Sequence, residues 1–401
     1  MITRLVAVLM LIFVSPLSIA DDRVDSAESS PLLNTNGEPF DPIYANAPGN
    51  PEFKNGVGSI FVEFESIPAG GFICTASAIT PTHILTAAHC LRNGPTDAIR
   101  NIRFILPSEG LILATVGFSV NPEFDFFEPI VGAFAQGDVA VVELAEPLPA
   151  NIEIYELYTN ADELKKETQH YGHGRSGVGE TGATGDADFF YARTGKNQYD
   201  ETFEALFAPG FDQLIHDFDS GKGKNDAVPF WYSAKFNCPA NGANGKAFKC
   251  TVAREGNRHT DTGFKKLEVG VAPGDSGGPG FIDGKIAGVH SFGFTYSGCE
   301  QYTNAPDATC GLDSSYGEMS GDARVSTYAG WINAQVSGGV STPVPEPLPA
   351  ASNSTSNAVA SDFVSEMGLS VMSHSVARHM RLKVDLVPAA CIRLASIEAN
   401  R

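Results

Sequence analysis

The chain has 401 residues, of which 43% are hydrophobic, and this length allows one large domain or two small ones with a sizeable core. Only 18% of the residues are charged, whereas 41 glycines and 25 prolines indicate many turns, which favours a loop-rich, all-β body. The formal net charge of −20 argues against nucleic acid or an anionic membrane as a partner, because both require clustered Lys and Arg.

The first twenty residues have the pattern of a secretion signal. Arg4 supplies the positive charge, Leu5–Val14 is a run of ten apolar residues, and Ser18–Ala20 is a small-x-small cleavage site. Ten apolar residues are too few to span a bilayer, so we expect no membrane span in the mature chain. Residues 1–20 are predicted to be a signal peptide, and the mature protein to be secreted, outside the cell or in the periplasm. Residues 21–50 are polar and predict a propeptide or N-terminal arm.

From Gly56 onward, short strand-like runs alternate with Gly, Pro and Asn turns, which is the spacing of a β-barrel. The runs are Ser59–Phe64, Phe72–Ile79, His83–Thr86, Ile102–Leu106, Leu111–Val116, Asp138–Leu144 and Lys285–Ser291. Val325–Ala334 instead has the spacing of a helix. We assign residues 51–336 to one domain.

Three distant segments carry the residue types of a nucleophilic active site. Gly274–Pro279 places Ser276 among glycines, whose bare backbones let a substrate carbonyl approach and let the N–H groups of Gly274 and Ser276 point at one spot. A serine hydroxyl needs a base to take its proton, and His89 is the natural base. Asp138 is the natural residue to orient the imidazole.

The same serine segment also fits G-x-S-x-G, the nucleophile elbow of α/β-hydrolases. That fold places its acid and its histidine after the serine, whereas His89 and Asp138 both precede Ser276. The elbow also lies at a strand-to-helix turn, but here a strand-like run follows the serine. The esterase interpretation is therefore disfavoured.

Six blocks of the chain, in the same order, resemble the trypsin-like serine proteases of the chymotrypsin fold, from about residue 55 to about residue 336. The blocks are Thr86–Cys90, Gly137–Leu144, Gly172–Gly174, Gly274–Pro279, Gly288–Gly293 and Arg324–Tyr328. The resemblance implies an all-β fold of two six-stranded antiparallel β-barrels with a C-terminal helix. It also implies that His89, Asp138 and Ser276 form a catalytic triad, with the oxyanion hole at Gly274 and Ser276.

The resemblance also places residues that bind the substrate. Gly270, six residues before Ser276, occupies the floor of the pocket for P1, the residue that precedes the cleaved bond. An aspartate there selects Lys or Arg, so we expect this chain to prefer other P1 residues. Ser291 matches the serine that hydrogen-bonds the catalytic aspartate, and Ser291, Phe292 and Gly293 are expected to form an open strand edge that pairs with the substrate backbone.

The character of the P1 residue stays open between apolar and acidic. His290 occupies the wall position at which glutamate-specific relatives carry histidine. Those relatives add Ser or Thr five residues before the nucleophile, where this chain has Val271.

Asp275 has a structural role in the family, in which it pairs with a newly freed N-terminal amine and shapes the oxyanion hole. The usual Ile-Val-Gly-Gly N-terminus is missing here. Arg23-Val24 lies far from Cys74, and Ile43 follows a proline. We therefore expect either a zymogen whose cleavage site is not placed, or an internal cation as the partner of Asp275.

Seven cysteines in a secreted chain favour disulfides. By resemblance, the expected pairs are Cys74–Cys90 around the histidine, Cys238–Cys250 ahead of the specificity pocket, and Cys299–Cys310. The family links a cysteine near Cys299 to one four residues before the nucleophile, but that position is Ala272, so Cys299 needs another partner and Cys310 is available. Cys391 is left over.

The chain between Asp138 and Ser276 is longer than a minimal family member requires. The excess includes Asp217-Phe218-Asp219-Ser220-Gly221, followed by Asn225-Asp226. Alternating aspartates near a glycine can ligate calcium through hard oxygens, but the pattern is not a complete EF-hand loop. An acidic surface turn is the alternative, and no other cofactor or metal is expected.

After Ser337 the composition changes to a linker rich in Gly, Ser, Thr, Pro and Ala. Val344–Pro347 resembles the start of the bacterial PEP-CTERM sorting signal, but no run of 18 apolar residues follows. Residues 337–401 are therefore assigned as a Pro/Ser-rich linker and irregular tail, either a degenerate sorting signal or a chance match.

These residues predict a secreted serine endopeptidase that acts on protein or peptide substrates as a monomer. The alternative from another class is an inactive binding protein with a protease fold. Such proteins usually lose a member of the triad, whereas this chain keeps all three residues, which favours the enzyme.

Overall fold

The computed structural model describes residues 54–344, except 68–69, 94–96, 125–135, 184–191, 207–211, 234, 238–250, 254–260, 265–266 and 296–304. The predicted signal peptide, the N-terminal arm and the tail beyond Val344 lie outside the described residues. Within the part of the chain that is described, no helix is both long and apolar enough to cross a membrane.

Six antiparallel strands in the N-terminal half close into a barrel. They are β1 (Val57–Phe64), β2 (Phe72–Thr80), β3 (His83–Thr86), β4 (Ile99–Leu106), β5 (Leu111–Val120) and β6 (Ala140–Leu144). Their order is β5-β4-β1-β2-β3-β6, and a further pairing of β5 with β6 closes the ring. The β-branched and aromatic residues that favour strands also fill the core, as Ile60, Phe104 and Val141 do.

The strands of the C-terminal half follow in chain order. They are β7 (Glu167–Gly172), β8 (Arg193–Gln198), β9 (Glu201–Thr202), β10 (Leu214–Asp217), β11 (Lys235–Asn237), β12 (Thr251–Ala253), β13 (Pro279–Ile282), β14 (Lys285–Phe294), β15 (Met319–Arg324) and β16 (Thr342–Pro343). β11 pairs with β12, and β16 pairs with β5 of the first barrel. The remaining strands form one sheet in the order β8-β7-β13-β14-β15-β10-β9.

This second sheet curls back on itself. β9 follows β8 after only Tyr199 and Asp200, and it pairs with β10 at the far end of the strand order. The N–H of Asp200 donates to the carbonyl of Ile215 at 2.8 Å, which draws the end of β8 toward β10. The expected all-β fold is confirmed. Its second half is a curled half-barrel, because the break after β8 interrupts the ladder that would close it.

Three short helices accompany the strands in the described residues: α1 (Phe203–Leu206), α2 (Ala227–Ser233) and α3 (Val325–Gly338). The helix predicted over Val325–Ala334 is confirmed and continues to Gly338. Its buried residues Val325, Tyr328 and Ile332 recur every three or four positions, so one face of α3 packs into the main core.

The two sheets meet at the residues that the sequence singled out. Thr75 on β2 donates its N–H to the carbonyl of Ser276 at 2.8 Å and its hydroxyl to the carbonyl of Gly274 at 3.0 Å. The serine segment, which leads into β13 of the second sheet, is therefore fastened to the first barrel.

Candidate active site

The imidazole of His89 lies against the carboxylate of Asp138. His89 belongs to a 3-10 turn, Ala88–Leu91, that follows β3. Its Nδ1 is 2.7 Å from Oδ2 of Asp138, and its backbone N–H donates to Oδ1 at 2.8 Å. The side chain of Asp138 is only 1% exposed, whereas that of His89 is 25% exposed. Both carboxylate oxygens thus fix the histidine, while part of its ring stays open to solvent.

The electrostatics of His89 suit a general base. Burial lowers the pKa of His89, but the charge of Asp138 and the hydrogen bond to it outweigh burial, so that the pKa is raised above its usual value. Because Nδ1 faces a carboxylate, the neutral ring keeps its proton on Nδ1 and presents Nε2 as an acceptor.

Asp138 is itself held by residues from the second sheet and from α3. Ser291 on β14 donates its hydroxyl to Oδ2 of Asp138. The N–H of Gly137 donates to the hydroxyl of Tyr328 at 2.9 Å. Gly137 has a φ of 66°, a backbone conformation that favours glycine. These contacts fix the direction in which the Asp138 carboxylate points.

Ser276 lies next to the histidine segment. A Cβ on the neighbouring Gly277 would overlap the side chain of Thr86 and the carbonyl of Thr75, and it would lie 2.9 Å from the backbone nitrogen of Ala87. Only glycine allows the serine turn to approach this closely. Among the described residues no hydrogen bond joins the Ser276 hydroxyl to His89, and such bonds often tighten only when substrate is bound.

The backbone around Ser276 leaves two amides free. Gly274 has a φ of 99°, and the turn is closed by bonds from the N–H groups of Asp275 to Ala272 (2.9 Å) and of Gly278 to Asp275 (2.8 Å). Neither the Gly274 nor the Ser276 N–H donates to another residue within the described chain. Two unpaired N–H donors on either side of Asp275 are available to a substrate oxygen, as an oxyanion hole requires.

Asp275 points away from the reaction site into a cradle of glycines. Its Oδ1 accepts the N–H of Gly174 at 2.7 Å, and its Oδ2 accepts the N–H of Ala272 at 2.9 Å. A Cβ on Gly172 would overlap the Asp275 carboxylate, which explains why glycine stands there. Burial raises the pKa of Asp275, although these backbone bonds and the charge of the nearby Arg193 oppose the rise. The N-terminal residues that the zymogen expectation requires lie outside the described residues.

The predicted pocket residues lie around the end of β14. Phe218 packs beneath Gly270, because a Cβ on Gly270 would lie 2.8 Å from its ring. Gly293 is open, and the nearest atom to a Cβ there would be 3.5 Å away on Leu312. Phe292, between Ser291 and Gly293 on β14, is partly exposed and covers Gly321 of β15.

His290 is fully buried, and its neighbours were not found by the sequence analysis. Its Nδ1 lies 2.9 Å from Oδ1 of Asp322, and its ring stacks on that of His170 at 5.0 Å. His170 in turn packs against His216, with ring centroids 4.6 Å apart. Burial lowers the pKa of His170, whereas the charge of Asp322 overcomes burial and raises that of His290. The sequence signal that could have revealed His170, His216 and Asp322 was the presence of polar residues at buried positions of strands.

Three groups of described residues bring possible metal ligands together. One contains Cys74 and Cys90, but these form a disulfide, as predicted, with Cα atoms 6.3 Å apart. The second joins His170, His290 and Asp322. The third is formed by Asp217, Asp219 and Asp226, which include the aspartates of the predicted calcium pattern. The three aspartates are buried, whereas residues 221–224 of the turn between them are exposed.

The other predicted disulfides fall largely outside the described residues, as Cys238, Cys250 and Cys299 do. Cys310 is described and is disulfide-bonded. Cys391 also lies outside.

Comparison with known proteins gives a family match over part of the chain and similarity to solved structures at low identity. Residues 55–201 match the family model described as Trypsin, a span that contains His89 and Asp138 and ends before Ser276. No curated protein sequence matches the chain. Among solved structures, neuropsin, a serine protease of mouse brain, is 13% identical over 71% of this chain and 95% of its own, with a TM-score of 0.42. HL collagenase is 16% identical over 72% and 94%, with a TM-score of 0.44. Over residues 55–201, less than half of the chain, the sequence is thus similar to the trypsin family.

Proposed function

We propose that this protein is a secreted serine endopeptidase that cleaves peptide bonds through an acyl-enzyme. The observation that carries the proposal is the buried Asp138 carboxylate, which holds Nδ1 of His89 at 2.7 Å beside the Ser276 turn. We favour the enzyme over an inactive binding protein because three donors fix the buried Asp138 carboxylate beside a histidine that remains 25% exposed.

The geometry supports the following sequence of steps. Ser276 Oγ attacks the substrate carbonyl carbon while Nε2 of His89 takes the hydroxyl proton. The N–H groups of Gly274 and Ser276 receive the oxyanion of the tetrahedral intermediate. The protonated His89 then gives its proton to the leaving amine, and the acyl-enzyme forms. Water repeats the sequence and releases the acid, while Asp138 stabilises the imidazolium at both stages.

We infer that the P1 pocket takes uncharged side chains better than Lys or Arg. Gly270 offers no carboxylate at the floor, and the Phe218 ring beneath it is apolar. A buried guanidinium without a counter-charge is costly, by several kcal/mol. Glutamate is the weaker alternative, because His290 is fully buried and its Nδ1 already faces Asp322.

The experiment is labelling and turnover of the secreted chain. A fluorophosphonate probe is expected to label Ser276, and Ser276→Ala is expected to abolish labelling and to lower kcat by about a millionfold. Ser337→Ala, which changes an exposed serine at the end of α3, serves as the matched control and should leave both unchanged. Undiminished turnover in Ser276→Ala would contradict the proposal, and an Arg substrate that exceeds matched Phe and Leu substrates tenfold in kcat/KM would contradict the pocket assignment.

A further inference from the structure

Asp217, Asp219 and Asp226 form a compact acidic cluster in the second half of the domain. One carboxylate oxygen from each lies within 4.8 Å of the others. The three side chains are at most 3% exposed, and Glu268, which is 1% exposed, lies close enough to add to the negative charge. Buried carboxylates in such proximity require either protons or a cation.

The carboxylate of Asp219 is the unsatisfied member of the cluster. Its Oδ1 is buried and has no hydrogen-bond partner in the described part of the chain. Asp217 differs, since its Oδ2 accepts the N–H groups of Ala227 (2.6 Å) and Val228 (3.0 Å) at the start of α2. Native proteins pair nearly all buried polar atoms, so an orphaned oxygen on a carboxylate that lies beside two others favours a cation site.

For Asp217 and Asp219, the described lysines and arginines do not supply that cation. No described Lys or Arg forms an ion pair with Asp217 or Asp219. Lys165 reaches Asp200 instead, at 3.0 Å, and Lys222 and Lys224 are exposed on the intervening turn. Burial raises the pKa of Asp219, and the surrounding carboxylates raise it further.

We propose that the acidic cluster, Asp217, Asp219 and Asp226, binds a calcium ion. Calcium–oxygen bonds are about 2.4 Å long, so oxygens up to about 4.8 Å apart can share one ion. The cluster offers only hard carboxylate oxygens, which calcium prefers, and none of the nitrogen or sulfur ligands that favour zinc or copper. Calcium also tolerates irregular coordination, whereas magnesium demands a near-octahedral shell.

The position of the cluster assigns the ion a role at the substrate pocket, and this part rests on the proposed function. Phe218 stands between the two ligands Asp217 and Asp219 and packs beneath Gly270. The side chain of Asn197 donates to the carbonyls of Asp217 (2.7 Å) and Val269 (2.8 Å), and so ties the cluster to the pocket floor. Ion binding would therefore fix the floor of the P1 pocket.

The same contact disfavours a basic substrate side chain as the occupant. The group in contact with Gly270 is the Phe218 ring, so a lysine or arginine that reached the pocket floor would meet an apolar ring there. A small ion needs no such opening.

The test is calcium binding to the secreted chain carrying Ser276→Ala, which prevents self-digestion and makes the result independent of protease activity. After removal of metal with EDTA, calorimetry is expected to show one calcium ion per chain, with magnesium at least tenfold weaker. A hundredfold excess of calcium over Kd should raise Tm by about 5–10 °C. No binding heat at millimolar calcium, or a Tm that EDTA and calcium leave unchanged, would overturn the proposal.

Substitutions locate the ion. Asp219→Asn is expected to abolish the calcium response and, because it removes a buried like charge, to raise Tm in EDTA. Asp226→Asn should weaken calcium binding at least tenfold. This second variant keeps the proposal testable if Asp219→Asn fails to fold. Asp283→Asn, an exposed change in the β13–β14 turn, is the matched control and should bind normally. Normal binding by Asp219→Asn, or stabilisation by benzamidine in place of calcium, would refute the assignment.

In the chain with Ser276 intact, removal of calcium is expected to lower kcat/KM at least tenfold, and added calcium should restore it. Calcium binding without this effect would overturn the link to the pocket. Absence of peptidase activity in every condition would count against the proposed function and would leave the calorimetric result intact.

Discussion

Replacement of Asp138 by asparagine is the sharpest perturbation that the structure offers. Three donors converge on this carboxylate: the backbone N–H of His89 at 2.8 Å, the Nδ1 side of its ring at 2.7 Å, and the hydroxyl of Ser291. Asparagine keeps the shape but supplies one oxygen and one NH₂ group. The backbone N–H cannot move, so the NH₂ is expected to face the ring.

The consequence is a reversed tautomer. A ring that faces an NH₂ donor must accept at Nδ1, so its proton moves to Nε2, which can then no longer take the proton of Ser276. Loss of the correct tautomer in such triads lowers kcat by about 10⁴-fold. This factor corresponds to about 5 kcal/mol. It agrees with the loss of about two hydrogen bonds to a charged group, at about 1.5–3 kcal/mol each.

The assay is kcat and KM on a peptide substrate, together with an NMR titration of His89. KM should change little, because Asp138 does not touch the substrate. The pKa of His89 should fall, because the charge that raises it is gone while the burial that lowers it remains. Asp138→Asn activity within tenfold of the parent chain, or an unchanged pKa of His89, would refute this account of the site.

Three further outcomes follow from the same contacts. Because the pKa of His89 is raised, kcat/KM is expected to fall on acidification with a midpoint above pH 6.5, and a midpoint below 6.5 would contradict the raised pKa. The contribution of the His89–Asp138 pair to stability should be full below pH 6.5 and should be lost as pH rises through the pKa of His89 in the folded protein. Gly172→Ala should displace Asp275 and distort the oxyanion donors, which should lower kcat by about 10²–10³-fold. Gly330→Ala in α3, where an added Cβ meets no other atom, should leave kcat unchanged. Equal kcat in the two variants would contradict the role of the glycines around Asp275. Removal of the Cys74–Cys90 disulfide, which spans 16 residues, should cost about 3 kcal/mol and lower Tm by about 6–12 °C in a thermal scan, and an unchanged Tm would show that the bridge is not structural.

The strands of the first barrel and β14 were predictable because their side chains carry a local signal. The predicted run His83–Thr86 coincides with β3, and Phe72–Ile79 differs from β2 by one residue. Longer strands were underestimated at their ends. β14 continues three residues past the predicted run, because Phe292 to Phe294 pair with β15 although glycine there is a weak strand former.

The break in the second barrel had no comparable signal. β8 ends at Gln198 and β9 begins at Glu201, and nothing local in Tyr199-Asp200 shows that the ladder stops there. The stop is set by contacts with Ile215 on a different strand.

The sequence by itself determined the chemistry that short segments can express: the serine among glycines, the histidine between alanine and cysteine, the aspartate just before a strand and the nearby cysteine pair. Only the tertiary structure decided what depends on residues far apart in the chain. Asp275 is held by Gly174, His290 by Asp322 and His170, and Asp219 faces Asp226 and Glu268 in a buried space. The physical reason is that burial and neighbouring charge set the state of a side chain, and both are fixed by strand order rather than by local sequence.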